Sequence, residues 1–214
     1  MKVLAINGGP RKNWNTDSLL KAVLDGAAAA GAETEMVYLY DLKFRGCVSC
    51  LACKLRKEPR PCRCVLRDEL TAVLDKAHEA DALVLGSPIY FGEVTGMMRC
   101  FIERLLFQYL NYDDHTHPLS PRKRTAMVYT MNAPEAMFPE IGYDVLFQRY
   151  EAWMKLYFGE CSTLLCTETL QVRDYDRYHL GMFDGEARKA RRETVFPRDL
   201  KKARELGTQL GSAR

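Results

Sequence analysis

Two stretches of this 214-residue chain carry side chains whose types and spacing could do chemistry. The first is Asn7-Gly8-Gly9-Pro10-Arg11-Lys12-Asn13-Trp14-Asn15-Thr16, lying between an apolar run at residues 2–6 and Leu19, Leu20, Val23, Leu24 and Ala27 at helical spacing. A loop at such a junction sits at the carboxyl end of a strand. Gly8 and Gly9 allow backbone angles that other residues resist. Arg11, the Asn15 amide, the Thr16 and Ser18 hydroxyls and the first free N–H groups of the helix can converge there on one anion. A terminal phosphate suits that place, which points to a nucleotide or a flavin. The loop lacks the third glycine of GxGxxG and the lysine–hydroxyl pair of GxxxxGK[ST], so it argues against a dinucleotide dehydrogenase and against an ATPase. An ordinary capped turn between strand and helix is the alternative reading.

The second stretch is Cys47-Val48-Ser49-Cys50-Leu51-Ala52-Cys53, followed by Cys62 and Cys64. A CxxCxxC run sets three thiolates on one tight loop that can grip three corners of an iron-sulfur cubane, with Cys62 or Cys64 as the fourth ligand. A thiol or disulfide loop and a structural zinc are the other readings, the zinc disfavoured because three cysteines at this spacing crowd one tetrahedral ion. Cys100, Cys161 and Cys166 read as buried apolar positions. The four histidines, His78, His115, His117 and His179, show no metal-binding spacing.

These residues must be positioned by alternating strands and helices. Strands are expected at 2–6, 35–39, 82–85, 124–131 and 161–169, and helices from 17, over 68–79, over 96–109 and over 139–158. A cysteine-bearing connection spans 41–67, and Ser87-Pro88-Ile89-Tyr90-Phe91-Gly92 breaks the third strand. A closing basic helix is expected over 185–209, interrupted at Pro197. Its Arg188-Lys189-Ala190-Arg191-Arg192 run either attracts an anionic cofactor such as NADPH or forms a solvated face. This alternation predicts an α/β, flavodoxin-like, three-layer, doubly wound parallel sheet of five strands in the order 2-1-3-4-5. That order brings the loop after the first strand beside the loop after the third. The expected division is a domain at 1–170 with the cysteine-rich insertion, then a basic helical extension at 171–214.

Composition narrows the partners. With 31 basic and 28 acidic residues the net charge is +3, too small for nucleic acid as the main partner. No apolar run reaches the roughly 18 residues needed to span a bilayer, and Met1-Lys2-Val3 enters a strand directly, so a cytoplasmic protein is expected. Eight cysteines without a secretory signal imply a reducing compartment.

Through GGPRKNWNTDSLL at 8–20 and GSPIYFGEVTGMMRCFIER at 86–104, the chain resembles the NAD(P)H-dependent FMN reductase and multimeric flavodoxin group over roughly residues 1–170. The resemblance implies bound FMN, with Gly9, Arg11, Asn13, Asn15, Thr16 and Ser18 around its phosphate. It puts Pro88, Ile89, Tyr90, Phe91 and Gly92 beside the ribityl chain and ring, and the loop with Thr130 and Asn132 near the ring. Trp14 departs from the pattern, standing where the group commonly has a small residue. The cysteine motif resembles that of the iron-sulfur flavoprotein family, which implies a [4Fe-4S] cluster held by Cys47, Cys50 and Cys53 with Cys62 or Cys64. The gap after Cys53 is wider than that family's.

The function expected is an FMN oxidoreductase of the iron-sulfur flavoprotein kind, moving electrons between NAD(P)H or ferredoxin and an acceptor such as a quinone. Flavin chemistry requires no protein nucleophile, and no catalytic side chain is assigned. The alternatives are a cluster-free NAD(P)H:quinone or FMN reductase, and a redox carrier or thiol-responsive binding protein. Self-association as a homodimer or homotetramer is expected, with neither nucleic acid nor membrane as partner.

Overall fold

Continuous apolar runs make the sheet: Val3 to Ile6, Ala82 to Leu85 and Ala126 to Val128 are each at most 3% exposed, the pattern of parallel strands covered on both faces. The computed structural model describes residues 1–56 and 62–213. Residues 57–61 of the cysteine-bearing connection and Arg214, the end of the basic extension, lie outside the described residues.

In chain order the elements are β1 (Lys2–Asn7), α1 (Asn15–Ala29), β2 (Glu33–Tyr38), α2 (Leu70–Glu79), β3 (Ala82–Tyr90), β4 (Glu93–Val94) and α3 (Gly96–Phe107). There follow β5 (Lys123–Thr130), α4 (Phe138–Ile141), α5 (Tyr143–Phe158), β6 (Gly159–Cys166), α6 (Gly185–Thr194) and α7 (Phe196–Gly211). The sheet order is β2-β1-β3-β5-β6, with β4 attached only to β3. All pairs but β3–β4 are parallel. The five long strands thus take the flavodoxin-like order expected, and the two-residue β4 alone changes their numbering.

Alternation along each strand divides the core. Leu4, Ile6, Leu83, Leu85, Met127 and Tyr129 pack with α2, α3 and α5. Val3, Ala5, Val84, Ala126 and Val128 pack with α1 and α7. Helix α7 lies almost backbone to backbone on α1: a Cβ on Gly207 would fall 1.8 Å from the Val23 carbonyl oxygen, and one on Gly26 1.9 Å from that of Arg204. The C-terminal segment therefore supplies one of the helices that cover the sheet.

Two local expectations change. Pro88 does not break the third strand; β3 runs to Tyr90 because Pro88 stands at its last pairing with β5, opposite Thr130, where a missing N–H is tolerated at the rim. The helix expected over 139–158 is split at Gly142, whose φ of 72° is left-handed. The interruption expected in the closing basic helix is present: α6 and α7 are parted at Val195, just ahead of Pro197. Among the described residues no helix is long and apolar enough to cross a membrane.

Candidate functional site

The β1–α1 loop is shaped by a buried pair. Asn7 Oδ1 accepts from the Gly9 N–H at 2.8 Å, and Asn7 Nδ2 donates to Asp17 Oδ1 at 3.1 Å. Asp17 Oδ2 accepts from the Asn13 N–H at 2.6 Å and pairs with Lys21 at 2.8 Å. Burial works against the Asp17 charge, but Lys21, the Asn13 N–H and Tyr38 outweigh it and hold the carboxyl below its usual value. The Gly8 N–H bonds Gly86 O at 2.8 Å, and Thr95 Oγ1 donates to Gly8 O at 2.6 Å, fastening the loop to β3 and to the start of α3. Trp14 occupies the N-cap of α1 without a side-chain cap, so the first-turn N–H groups keep the capacity to bind an anion.

The loop opens into a cleft at the carboxyl ends of β1, β3 and β5, where parallel strand order reverses and ligands commonly bind. Gly9, Arg11, Asn15, Thr16, Pro88, Ile89, Tyr90, Thr130 and Asn132 all line it. Thr16 Oγ1 and Thr130 Oγ1 hydrogen-bond at 2.7 Å across it. Arg11 Nη1 donates to Gln171 O at 2.6 Å, and its guanidinium carbon stands 4.9 Å from the Trp14 ring centre.

Four residues singled out in the sequence do not line the cleft. Asn13 has a left-handed φ of 58° and its Oδ1 accepts from Lys21, which turns it to the surface. Ser18 lies beyond the first turn, its N–H bonded to Trp14 O. Phe91 and Gly92 form a two-residue hairpin turn between paired Tyr90 and Glu93, with φ of 51° and 73°. That turn throws the Phe91 ring fully into solvent. Nor does the Asn15 amide face an anion: Nδ2 donates to Leu170 O at 2.8 Å and Oδ1 accepts from Arg192 at 2.9 Å.

Pro10, Trp14, Met131, Thr169 and Gln171 complete the lining. The last strand, expected over 161–169, ends at Cys166, so Thr169 joins Gln171 in the irregular segment after β6 that topology delivers to the cleft. The Thr169 N–H and hydroxyl both bond Met131 O, at 3.0 Å and 3.2 Å, holding that segment against the end of β5.

The cysteines form a second site. Cys47, Cys50, Cys53 and Cys64 line one pocket with Arg104, Phe107 and Gln108; Cys62 is not part of it. Burial pushes the Cys53 thiol up, and after a lowering effect of Lys54 the further upward influences are Cys64, Cys50 and Cys47. Cys62 is absent from that set. Ser49 and Leu51 carry left-handed φ values of 53° and 58° and bend the loop, which leaves Cys47 and Cys53 half-buried and Cys50 exposed. Lys54 clamps it by donating to the carbonyls of Phe107, Gln108 and Leu110 at the end of α3. Among the described residues no three His, Cys, Asp or Glu side chains are gathered about one metal position. Of the other thiols Cys166 is buried, while Cys100 and Cys161 are only partly so. His115 and His117 are exposed.

Unpartnered polar atoms mark both pockets. Among the described residues seven buried side-chain nitrogen or oxygen atoms have no hydrogen-bond partner. Trp14 Nε1, Asn132 Nδ2 and Gln171 Oε1 belong to residues of the cleft, and Arg104 Nε and Gln108 Nε2 to residues of the cysteine pocket. Each such atom costs about 1–3 kcal/mol if it stays unsatisfied, so their concentration here fits bound groups that supply partners. Arg104 and Gln108 are each 1% exposed. The Cys64 N–H bonds Gln108 Oε1 at 3.1 Å, which leaves Nε2 as the spare donor beside the thiols. Sulfur-ligated clusters accept such N–H bonds, so these donors suit a sulfur-rich ligand, although the described cysteines are not gathered about one metal position.

Known proteins share both sequence and shape. An iron-sulfur flavoprotein of Archaeoglobus fulgidus is 41% identical over 104 residues, 49% of this chain and 48% of its own length. One of Methanocaldococcus jannaschii is 36% identical over 104 residues, 49% of this chain and 51% of its own. The chain thus spans about half the length of the curated relatives it matches. The structure of an NAD(P)H:quinone oxidoreductase from Methanothermobacter marburgensis superimposes with a TM-score of 0.70 at 16% identity, covering 98% of each chain, a likeness of fold. Residues 1–135, which hold β1 to β5 and with them most of the cleft, match the family described as NADPH-dependent FMN reductase. To that family this chain belongs.

Proposed function

We propose that this chain is an FMN-dependent oxidoreductase of the iron-sulfur flavoprotein kind, passing electrons between NAD(P)H or ferredoxin and a small acceptor such as a quinone. The observation that carries the reading is the gathering of unpartnered buried polar atoms at the cleft and at the cysteine pocket. When bound, FMN supplies hydride and single-electron chemistry, and a [4Fe-4S] cluster supplies single-electron storage.

The protein's part is binding, orientation and electrostatics. The Gly9 to Thr16 loop, the first-turn N–H groups of α1 and Arg11 are suited to the phosphate. Neither Arg11 nor Arg192 pairs with a carboxylate among the described residues, so this end of the cleft carries positive charge without a counter-ion. Asn132 Nδ2 and Trp14 Nε1 offer donors, and Tyr90, 44% exposed, offers an aromatic face to a planar ring. Cys47, Cys50, Cys53 and Cys64 would hold the cluster, with Arg104 and Gln108 donating to its sulfurs.

Location and assembly belong to the same reading. A reducing cytoplasm is part of the proposal, as the compartment in which a chain with eight cysteines keeps its thiols for redox or metal work. Association as a homodimer or homotetramer is part of the proposal, with Val145 and Leu156 of α5 and Tyr112, exposed at 60%, 42% and 67%, among the apolar side chains open to a partner. The test is anaerobic purification with visible spectroscopy and iron and sulfide analysis. A yellow-brown protein with iron, sulfide and FMN is expected; a colourless protein that does not bind added FMN contradicts the reading.

A further inference from the structure

Within the basic run of α6 Lys189 pairs with Glu186 at the surface, while the arginines do not all face solvent. Arg188, Arg191 and Arg192 stand at i, i+3 and i+4, on one side of the helix, and that side is turned into the molecule. Asp184 starts the helix by capping the Ala187 N–H at 3.0 Å. Arg191 Nη2 pairs with Asp199 at 2.8 Å and fixes α6 to α7. The other two arginines reach the cleft loops.

Arg188 Nε donates to Asn132 Oδ1 at 2.6 Å and Nη2 to Asn132 O at 3.2 Å, while Nη1 pairs with Glu168 at 3.0 Å. Because Oδ1 is taken by a donor-only guanidinium, the opposite end of the amide must be Nδ2. That nitrogen is buried without an acceptor, in a residue that lines the cleft. Arg192 Nη1 donates to Asn15 Oδ1 at 2.9 Å, and its guanidinium carbon lies 3.8 Å from the centre of the Phe196 ring. No carboxylate among the described residues pairs with Arg192, so its charge stays uncompensated against the first residue of α1. The positive end of the α1 dipole falls at the same point.

We propose that α6 is a positioning element for the flavin, with Arg192 reinforcing the phosphate end of the cleft and Arg188 aiming the Asn132 amide at the ring end. This rests on the FMN reading above, yet it assigns work to residues beyond 135, where the family match ends. The two arginines touch different loops and so affect different parts of the ligand. Arg192 acts on the part that distinguishes FMN from riboflavin; Arg188 acts on the part the two share.

The test is equilibrium binding of FMN and of riboflavin to the full chain, followed by flavin fluorescence. Arg192→Gln is expected to weaken FMN about tenfold while riboflavin changes less than about twofold, and Arg192→Lys to recover most of the loss because the charge returns. Unchanged riboflavin affinity also shows that the variant is folded. Arg188→Gln is expected to weaken both ligands by a similar factor, and to have no further effect when Asn132 is already alanine. Equal losses of both flavins in Arg192→Gln, or no loss of either, overturn the role of Arg192. Additive effects of Arg188→Gln and Asn132→Ala overturn that of Arg188. Failure of the unaltered chain to bind either flavin overturns the FMN reading itself.

Discussion

The Thr16 hydroxyl at the start of α1 and the Thr130 hydroxyl at the end of β5 meet at 2.7 Å, joining two walls of one cleft across 114 residues of chain. Both side chains are buried, at 6% and 3% exposure, so the bond closes the floor of the site. Thr130→Val keeps the shape and removes the hydroxyl. Loss of about 1 kcal/mol is expected, and a cycle with Thr16→Val should show coupling of similar size, read by urea unfolding of the apo chain.

The cysteine pocket separates Cys64 from Cys62. After anaerobic reconstitution, the unaltered chain and Cys62→Ala are expected to hold about four irons each. Cys64→Ala should fall well below that. Iron and sulfide assays on the three proteins decide it, and the reverse ranking would make Cys62 the ligand.

Close approach of α1 and α7 makes Gly207 irreplaceable. The alanine methyl of Gly207→Ala would stand 1.8 Å from Val23 O, which is backbone and cannot swing aside. A loss of more than about 3 kcal/mol is expected, seen as a large fall in melting temperature. Gly181→Ala, with nothing within 4 Å of the added carbon, serves as the mild control.

Asp17 gives the phosphate loop an acid limit. Its folded carboxyl titrates below the usual value, so its contribution is complete above the unfolded pKa of about 3.9 and is lost as pH falls through the folded value. Unfolding measured from pH 6 down to pH 2.5 should show stability declining below about pH 4. Asp17→Asn is expected to be less stable at pH 6 and to show a smaller decline.

Local pattern made much of this legible. The buried runs of β1, β3 and β5, the glycine loop and the alternation of elements sufficed for the sheet order, because parallel strands leave uninterrupted apolar text. Nine of the residues named from the sequence share the cleft. What escaped depends on tertiary contact. The β3 strand passes Pro88 because of its place at the rim, and Phe91 leaves the cleft because a two-residue turn needs left-handed φ values. The α6 arginines looked like surface charge because a sequence does not say which side of a helix meets Asn15 and Asn132. Their i, i+3, i+4 spacing was the available signal. Gln171 had none, and the sequence pattern puts Thr169 at the end of a strand that in the structure stops at Cys166.

Every role proposed for the cleft depends on the loops after β1, β3 and β5 holding FMN jointly. A crystal structure of the chain with FMN tests it most directly. The phosphate is expected within hydrogen-bond reach of the Gly9 to Thr16 segment, with the ring between Tyr90 and Asn132. A phosphate bound anywhere else on the molecule would contradict it.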